Sequence, residues 1–327
     1  MSGAGGLVLV TYGGYATEDP ESGGALRDAG YELSWHPRES DRTPDQLAEL
    51  VADAVAAIAD ADPFDASVLQ RAPKLRVIAR TGVGLDSIDL AAATNAGVAV
   101  TTTPNVNNET VADHALALIL ATVRRIVEQD ASVRAGGWRM HGERGPRQLH
   151  RATVGIVGYG AIGRAVGRRL HGFGANVIAH DPLLSEADVP LVSLDELVAA
   201  SDVVSIHSPL NDETRGMFSA PLIAAMKPGA ILVNTGRGPI VDENALADAL
   251  ERGHLRAAGL DVFETEPPLG TRILAAPNVT VSPHHAGTSD VSNLEMSRVA
   301  TACVLAILGG GSAPSLVNPE ALAHVRR

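Results

Sequence analysis

The sequence predicts an α/β protein made of two doubly wound, parallel-sheet domains. Three observations carry this expectation. The chain has 327 residues, enough for two ordinary domains. Short apolar β-type runs alternate with helical stretches, which implies parallel strands joined by crossovers. A second series of the same kind starts afresh at Thr153.

In chain order, Leu7–Thr11 reads as a buried strand ended by Gly13-Gly14. Leu47–Ile58 has the spacing of an amphipathic helix. Leu75–Ala79 and Val98–Thr102 read as strands, with a short helix over Ile88–Asn95 stopped by Gly97. Val111–Val127 is apolar on nearly every face and predicts a buried helix at a domain or subunit interface. Ala135–Arg151 has no clear period. The second series reads strands at Thr153–Val157, Asn176–Ala179, Val203–His207, Ala230–Asn234, Ala257–Leu260 and Val279–Val281. A final apolar helix over Asn293–Leu308 is stopped by Gly309-Gly310-Gly311. The two apolar helices bracket the second series. The middle domain therefore reads as inserted into the first, with a cleft expected between them, where ligand sites are common.

Composition excludes several classes. Hydrophobic residues make up 45%, but aromatics only 3%, so Ala, Val, Leu and Ile must fill the cores. The net charge of −12 repels phosphate backbones and anionic lipid, so no nucleic acid or membrane partner is expected. The apolar runs look too short for a membrane span. The single cysteine, Cys303, cannot form an intramolecular disulfide and reads as a small buried hydrophobe. Met1–Gly6 carries no signal-peptide pattern, so the expected location is cytoplasmic. No metal site is read.

The most specific motif follows Thr153–Val157. Gly158-Tyr159-Gly160-Ala161-Ile162-Gly163 is GxGxxG between a strand and a helix, the arrangement that binds a dinucleotide. Gly158 permits the tight turn, Gly160 lets the backbone approach a pyrophosphate, and Gly163 lets helix pack on strand. The free N–H groups at the helix start face the phosphates. Asp181 ends the next strand about 20 residues on, where a carboxylate accepts ribose hydroxyls. It would repel a 2′-phosphate, and Pro182-Leu183-Leu184 supplies no arginine to neutralise one. The expected cofactor is NAD.

Three further segments leave predicted strands at the same end of the sheet. Asn234-Thr235-Gly236-Arg237-Gly238 projects an arginine, whose fork suits a carboxylate. Leu260–Pro268 carries three acids, Asp261, Glu264 and Glu266. Val281–Gly287 carries His284 and His285. Histidine suits general acid–base work near neutral pH, and a neighbouring carboxylate favours its protonated form. Each residue alone has a bland alternative as a surface ion pair, a solvated loop acid or a structural histidine. Their recurrence past strands of one sheet argues against coincidence.

These residues resemble the D-isomer-specific 2-hydroxyacid dehydrogenases, a phosphoglycerate dehydrogenase-like family. The resemblance is detailed from about Leu75 to Gly287. Asn234–Gly238 matches its Asn-Thr-x-Arg-Gly, Leu260–Pro267 its Leu-Asp-Val-Phe-Glu-x-Glu-Pro, and Pro283–Gly287 its Pro-His-x-Ala-Gly. It implies Arg237, Glu266 and His284 as catalytic residues. His285 departs from a position that is usually apolar. The resemblance also implies a substrate-carboxylate loop with backbone N–H groups at Val83 and Gly84, beside Arg80, and a place near the substrate for Asn107. It implies cofactor contacts at Ala161, Ile162, Asp181, His207, Ser208, Pro209, Thr235, Gly236, Gly287, and Asp261 at the nicotinamide carboxamide.

The resemblance implies a flavodoxin-like substrate domain over residues 1–105 and 289–327, and a Rossmann NAD domain over 106–288. The expected activity is interconversion of a small D-2-hydroxy acid and its 2-keto acid, of 3-phosphoglycerate, glyoxylate or hydroxypyruvate type, by a homodimer. Rival readings are a dinucleotide-sensing, corepressor-like protein and oxidation of another small anion such as phosphite. Formate-oxidising relatives lack the acid paired with histidine, so Glu266 argues against that chemistry. Arg134, Arg139, Arg144 and Arg147 are candidates for a distal phosphate, or for solvent or a subunit contact. The stretch after the last helix is short, so no appended regulatory domain is expected.

Overall fold

The structure, a computed structural model, describes residues 5–37, 42–138 and 145–324. The chain divides into two compact units, residues 1–107 with 288–327, and residues 108–287. Arg139 and Arg144 lie outside the described residues.

The first unit begins β1 (Leu7–Val10), α1 (Pro20–Asp28), β2 (Glu32–Trp35), α2 (Pro44–Val51), β3 (Ala54–Ala59), α3 (Ala66–Gln70), β4 (Val77–Arg80), α4 (Leu90–Asn95) and β5 (Ala99–Thr101). Its strands are parallel, in the order β2-β1-β3-β4-β5, which reverses at β1 as in doubly wound folds.

One expected element is corrected here. Leu47–Ile58 is not a single helix: its first half belongs to α2 and the rest is β3. Helix α2 starts at a reciprocal cap, in which the Gln46 N–H donates to Thr43 Oγ1 and the Thr43 N–H to Gln46 Oε1. The chain then enters the sheet between β1 and β4, buried at Ala54, Ala56, Ala57, Ile58 and Ala59. A strand covered on both faces is continuously apolar, so hydrophobic spacing does not distinguish it from a buried helix.

The second unit runs α5 (Asn108–Arg124), α6 (Ile126–Arg134), β6 (Thr153–Val157), α7 (Ala161–Gly172), β7 (Asn176–His180), α8 (Leu194–Ala200), β8 (Val203–Ile206), α9 (Ala220–Ala225), β9 (Ile231–Asn234), α10 (Glu243–Glu251), β10 (Ala257–Leu260), α11 (Arg272–Ala275) and β11 (Val279–Val281). Its six parallel strands lie in the order β11-β10-β9-β8-β6-β7. The order reverses between β6 and β8, so the glycine-rich turn after β6 sits at the switch point where ligands bind. Two layers of fully buried Val, Leu and Ile cover the sheet, each such side chain worth about 1.5–3 kcal/mol.

The apolar segment expected over Val111–Val127 is two helices. Arg125 adopts φ +57° and breaks α5 from α6. Helix α5 is buried at Val111, Ala112, Ala115, Leu118, Ile119, Thr122 and Val123, and it packs on β9, β10 and β11. Its other side is not apolar: Glu109 and Asp113 pair with Arg168 and Arg169 of α7 at 2.6–2.7 Å.

The chain then returns to the first unit as α12 (Asp290–Leu308), which packs on α1, β3, β4 and β5. Here too an expectation is corrected. By length and composition α12 is apolar enough to cross a membrane, but Met296, Ala300, Cys303, Val304 and Ile307 are core residues of the first unit. Its hydrophobicity is that of a core helix.

Candidate active site

In the second unit, β6, β8, β9, β10 and β11 all run parallel, so the loops leaving them emerge at one edge of the sheet. Each loop carries part of the expected site.

After β6, Gly158 adopts φ +86°, and a Cβ there would meet the backbone of His207 and Ser208 at 2.8–2.9 Å. Only glycine fits both the turn and this close approach. Gly160 and Ala161 are exposed, Ile162 is half-buried and Gly163 is buried. A Cβ on Gly160 would meet nothing within 4 Å, so the backbone faces an open cradle. Helix α7 begins there without a side-chain cap, leaving its first N–H groups for an anion. Asp181 Oδ2 accepts the Tyr159 N–H at 2.9 Å, and Oδ1 accepts the Leu183 N–H at 3.0 Å. The carboxylate is thereby fixed beside the cradle. These residues fit a dinucleotide: open backbone for the pyrophosphate and a held acid for a ribose.

After β8, His207 bonds Ser205 Oγ through Nε2 at 2.9 Å and Thr235 Oγ1 through Nδ1 at 3.1 Å. Burial pushes it down to about 4, so it is neutral at pH 7. Ser208 is half-buried and Pro209 exposed beside it.

After β9, the buried Asn234 side chain builds the next turn. Its Oδ1 accepts the Gly236 N–H and its Nδ2 donates to the Arg237 carbonyl, both at 2.9 Å. Arg237 is half-buried and donates to the Gly236 carbonyl at 2.8 Å. A Cβ at Gly238 would lie 1.8 Å from the Phe263 carbonyl carbon. This turn therefore rests directly on the loop that carries the glutamate.

After β10, Glu266 Oε1 accepts the Phe263 N–H at 3.1 Å, and Oε2 meets His284 Nδ1 at 2.6 Å. Burial pushes the Glu266 carboxyl up. The His284 hydrogen bond and charge, the Phe263 N–H and the Arg237 guanidinium outweigh it and hold the group below the ordinary carboxylate range. Arg237, Glu266 and His284 thus form one electrostatic cluster.

After β11, His284 has φ +53°, a left-handed conformation that costs a non-glycine residue roughly 1–3 kcal/mol. Its N–H donates to the Asp261 carbonyl at 2.7 Å. The buried Asp261 carboxylate also accepts the N–H groups of His285 and Ala286 at 2.9 and 2.8 Å. The side chain implied to meet the cofactor is thus fully buried and bound to the histidine loop. His285 is exposed, with Nδ1 3.4 Å from the Pro283 carbonyl, and Gly287 is half-buried.

Residue-by-residue reading of the sequence misses Glu243. Its Oε1 accepts the Glu264 N–H at 2.6 Å and anchors the glutamate loop. Burial raises its pKa, helped by Glu264 and Glu266 and opposed by that hydrogen bond. Its only sequence signal is its place in the first turn of α10.

In the first unit, Val83 is 48% exposed on the turn after β4, with Gly84 half-buried. Arg80 is buried. Its guanidinium donates to the Gly84 carbonyl at 3.2 Å and to the Thr81 carbonyl, so it braces the turn from within. Gly82 N–H donates to Thr103 Oγ1 at 2.7 Å. Asn107 Oδ1 is buried without a hydrogen-bond partner among the described residues.

Residues 116–286, just over half of the chain, match the family described as D-isomer specific 2-hydroxyacid dehydrogenase, NAD binding domain. D-3-phosphoglycerate dehydrogenase of Mycobacterium leprae (strain TN) is 44% identical over 286 residues, covering 86% of this chain and 54% of that protein. The chain therefore spans about half the length of that relative. Glyoxylate reductase of Korarchaeum cryptofilum is 40% identical over 315 residues, covering 93% of this chain and 94% of that one. The crystal structure of the TT0316 protein from Thermus thermophilus superposes with a TM-score of 0.87 at 40% identity, covering 95% and 99% of the two chains. In sequence and in fold alike, the chain belongs to the D-isomer specific 2-hydroxyacid dehydrogenase family.

Proposed function

We propose that this protein is an NAD-dependent dehydrogenase that interconverts a small D-2-hydroxy acid and its 2-keto acid. The observation that carries the reading is the 2.6 Å contact of His284 Nδ1 with Glu266, with Arg237 acting on the same carboxylate.

The cofactor is held by the backbone from Gly158 to Gly163 and by Asp181, with His207, Ser208, Pro209, Thr235, Gly236 and Gly287 completing its surroundings. When bound, NAD(H) accepts or supplies the hydride at substrate carbon 2. Every other task falls to the protein. Arg237 grips the substrate carboxylate. In the first unit, the turn at Val83 and Gly84, braced by Arg80, and Asn107 enter the proposal through the family resemblance alone. Asp261 holds the histidine loop from its buried position. With Nδ1–H donated to Glu266, His284 presents Nε2 for proton exchange. In reduction Nε2 protonates the developing alkoxide; in oxidation it takes the hydroxyl proton. Glu266 fixes the ring's tautomer and orientation and balances its charge.

A homodimer is part of this proposal. Helix α6 buries none of its residues, and Ile126, Val127, Val133 and Trp138 are 49–84% exposed. Exposed apolar side chains of this kind suit contact with a second copy. The net charge of −12 supports a role without nucleic acid or membrane partners, and the proposed location is the cytoplasm.

The test is loss of NADH absorbance with glyoxylate, hydroxypyruvate, pyruvate and phosphohydroxypyruvate as substrates. Turnover of at least one is expected. Tight NADH binding with no turnover of any would favour the dinucleotide-sensing reading, and turnover of phosphite instead would favour the other rival.

A further inference from the structure

We propose that His114 is a positioning residue for His284, acting through Ser282 and Asp261. The inference rests on the reading of His284 as the proton-transfer group.

His114 lies on α5, far in sequence from the catalytic loops. Its Nε2 is 2.7 Å from Ser282 Oγ, and Ser282 Oγ is 2.6 Å from Asp261 Oδ1. The same Oδ1 lies 3.5 Å from His114 Nε2. Asp261 is the hub of this network. Its two carboxylate oxygens take the N–H groups of His285 and Ala286, and its carbonyl takes the N–H of His284. Three consecutive amides, beginning at the catalytic histidine, are therefore ordered by one buried acid.

Donor accounting fixes the direction of the chain. Asp261 in its carboxylate form only accepts, so Ser282 must donate its single proton to it. Ser282 Oγ can then only accept from His114. It follows that His114 carries its proton on Nε2. Without that donor, Ser282 is free to rotate away from Asp261, and one of the acid's three ligands is lost. The loop then loses part of what holds His284 at φ +53°, a conformation that relaxes unless its surroundings enforce it. Helix α5 thus acts as a brace for the loop as well as a core helix.

Two variants of the full-length protein test this. His114→Phe fills the space but removes the donor. His114→Gln keeps an amide N–H where Nε2 stood. His114→Phe is expected to lower kcat for the keto acid that the wild type reduces by about 10- to 100-fold, the scale of a small misplacement of a catalytic group. NADH affinity is expected to stay within about 3-fold, a shift of under one kcal/mol. His114→Gln is expected to restore most of kcat. Equal loss in both variants, or loss in neither, would overturn the proposal.

A second readout does not depend on turnover. In nitrogen-15 histidine-labelled protein, the His114 ring should show the neutral Nε2–H tautomer or the imidazolium form. The His284 ring resonances should shift in His114→Phe and return toward wild type in His114→Gln. A neutral Nδ1–H tautomer at His114, or unmoved His284 resonances, would contradict the brace. If the wild type reduces no keto acid, the dehydrogenase reading fails, while the ring spectra still decide whether the network exists.

Discussion

At the scale of single residues, the proposed site combines one fork, one acid and one base, coupled through the Glu266 carboxylate. Arg237→Lys keeps the charge and loses the planar fork. KM for the keto acid should rise about 10-fold or more, with NADH affinity unchanged, since a bidentate carboxylate contact is what lysine cannot reproduce. An unchanged KM would remove Arg237 from substrate binding. Glu266 and Glu243 make a pair of opposite sign. The pKa of Glu266 is lowered on folding, so its ionised form adds stability above the ordinary carboxylate range, and this is lost as pH falls through the lowered value. Glu266→Gln should therefore lower Tm at pH 7 and lose most of its effect in acid. The Glu243 pKa is raised, so the folded protein binds the extra proton and stability falls as pH climbs through that window. Glu243→Gln should be neutral or stabilising at pH 7, because glutamine can still accept the Glu264 N–H. Thermal melts across pH on both variants check the signs, and equal slopes would contradict them.

At the scale of elements, two glycines separate the needs of the cofactor from the needs of the fold. Gly160 faces open space, so Gly160→Ala should leave Tm unchanged and weaken NADH binding. Gly238→Ala drives a methyl into the Phe263 backbone, so it should lower stability by about 1–3 kcal/mol and displace Arg237 as well. Fluorescence titration with NADH beside a melt distinguishes the two; a large loss of stability at Gly160 would contradict the open cradle. The same scale shows what the sequence makes legible. The GxGxxG turn, Asp181 and the three loops that carry Arg237, Glu266 and His284 are readable because each depends on local chemistry at the end of a strand. Strand β3 is not, because Ala54–Ala59 has the spacing and composition of a helix and becomes a strand only through hydrogen bonds to β1 and β4. Strand β2 is a short edge strand with no such run. The link from His114 to Ser282 spans 168 residues and leaves no local pattern.

At the scale of the whole molecule, two doubly wound sheets supply rigid edges from which short loops reach. With a net charge of −12, the positive partner of an anionic substrate must be local, and Arg237 is the residue proposed for it. Val133→Asp together with Trp138→Glu should convert the proposed dimer into monomers, read by sedimentation, since both side chains are apolar and more than half exposed. A dimer that survives both changes would place the subunit contact elsewhere. The most direct test of the central claim is single-turnover reduction by pre-bound NADH, comparing the wild type with His284→Ala. A loss of about 10²–10⁴-fold in the hydride-transfer rate, with NADH affinity intact, is the result this account predicts. An unchanged rate would contradict the assignment of His284 as the proton donor.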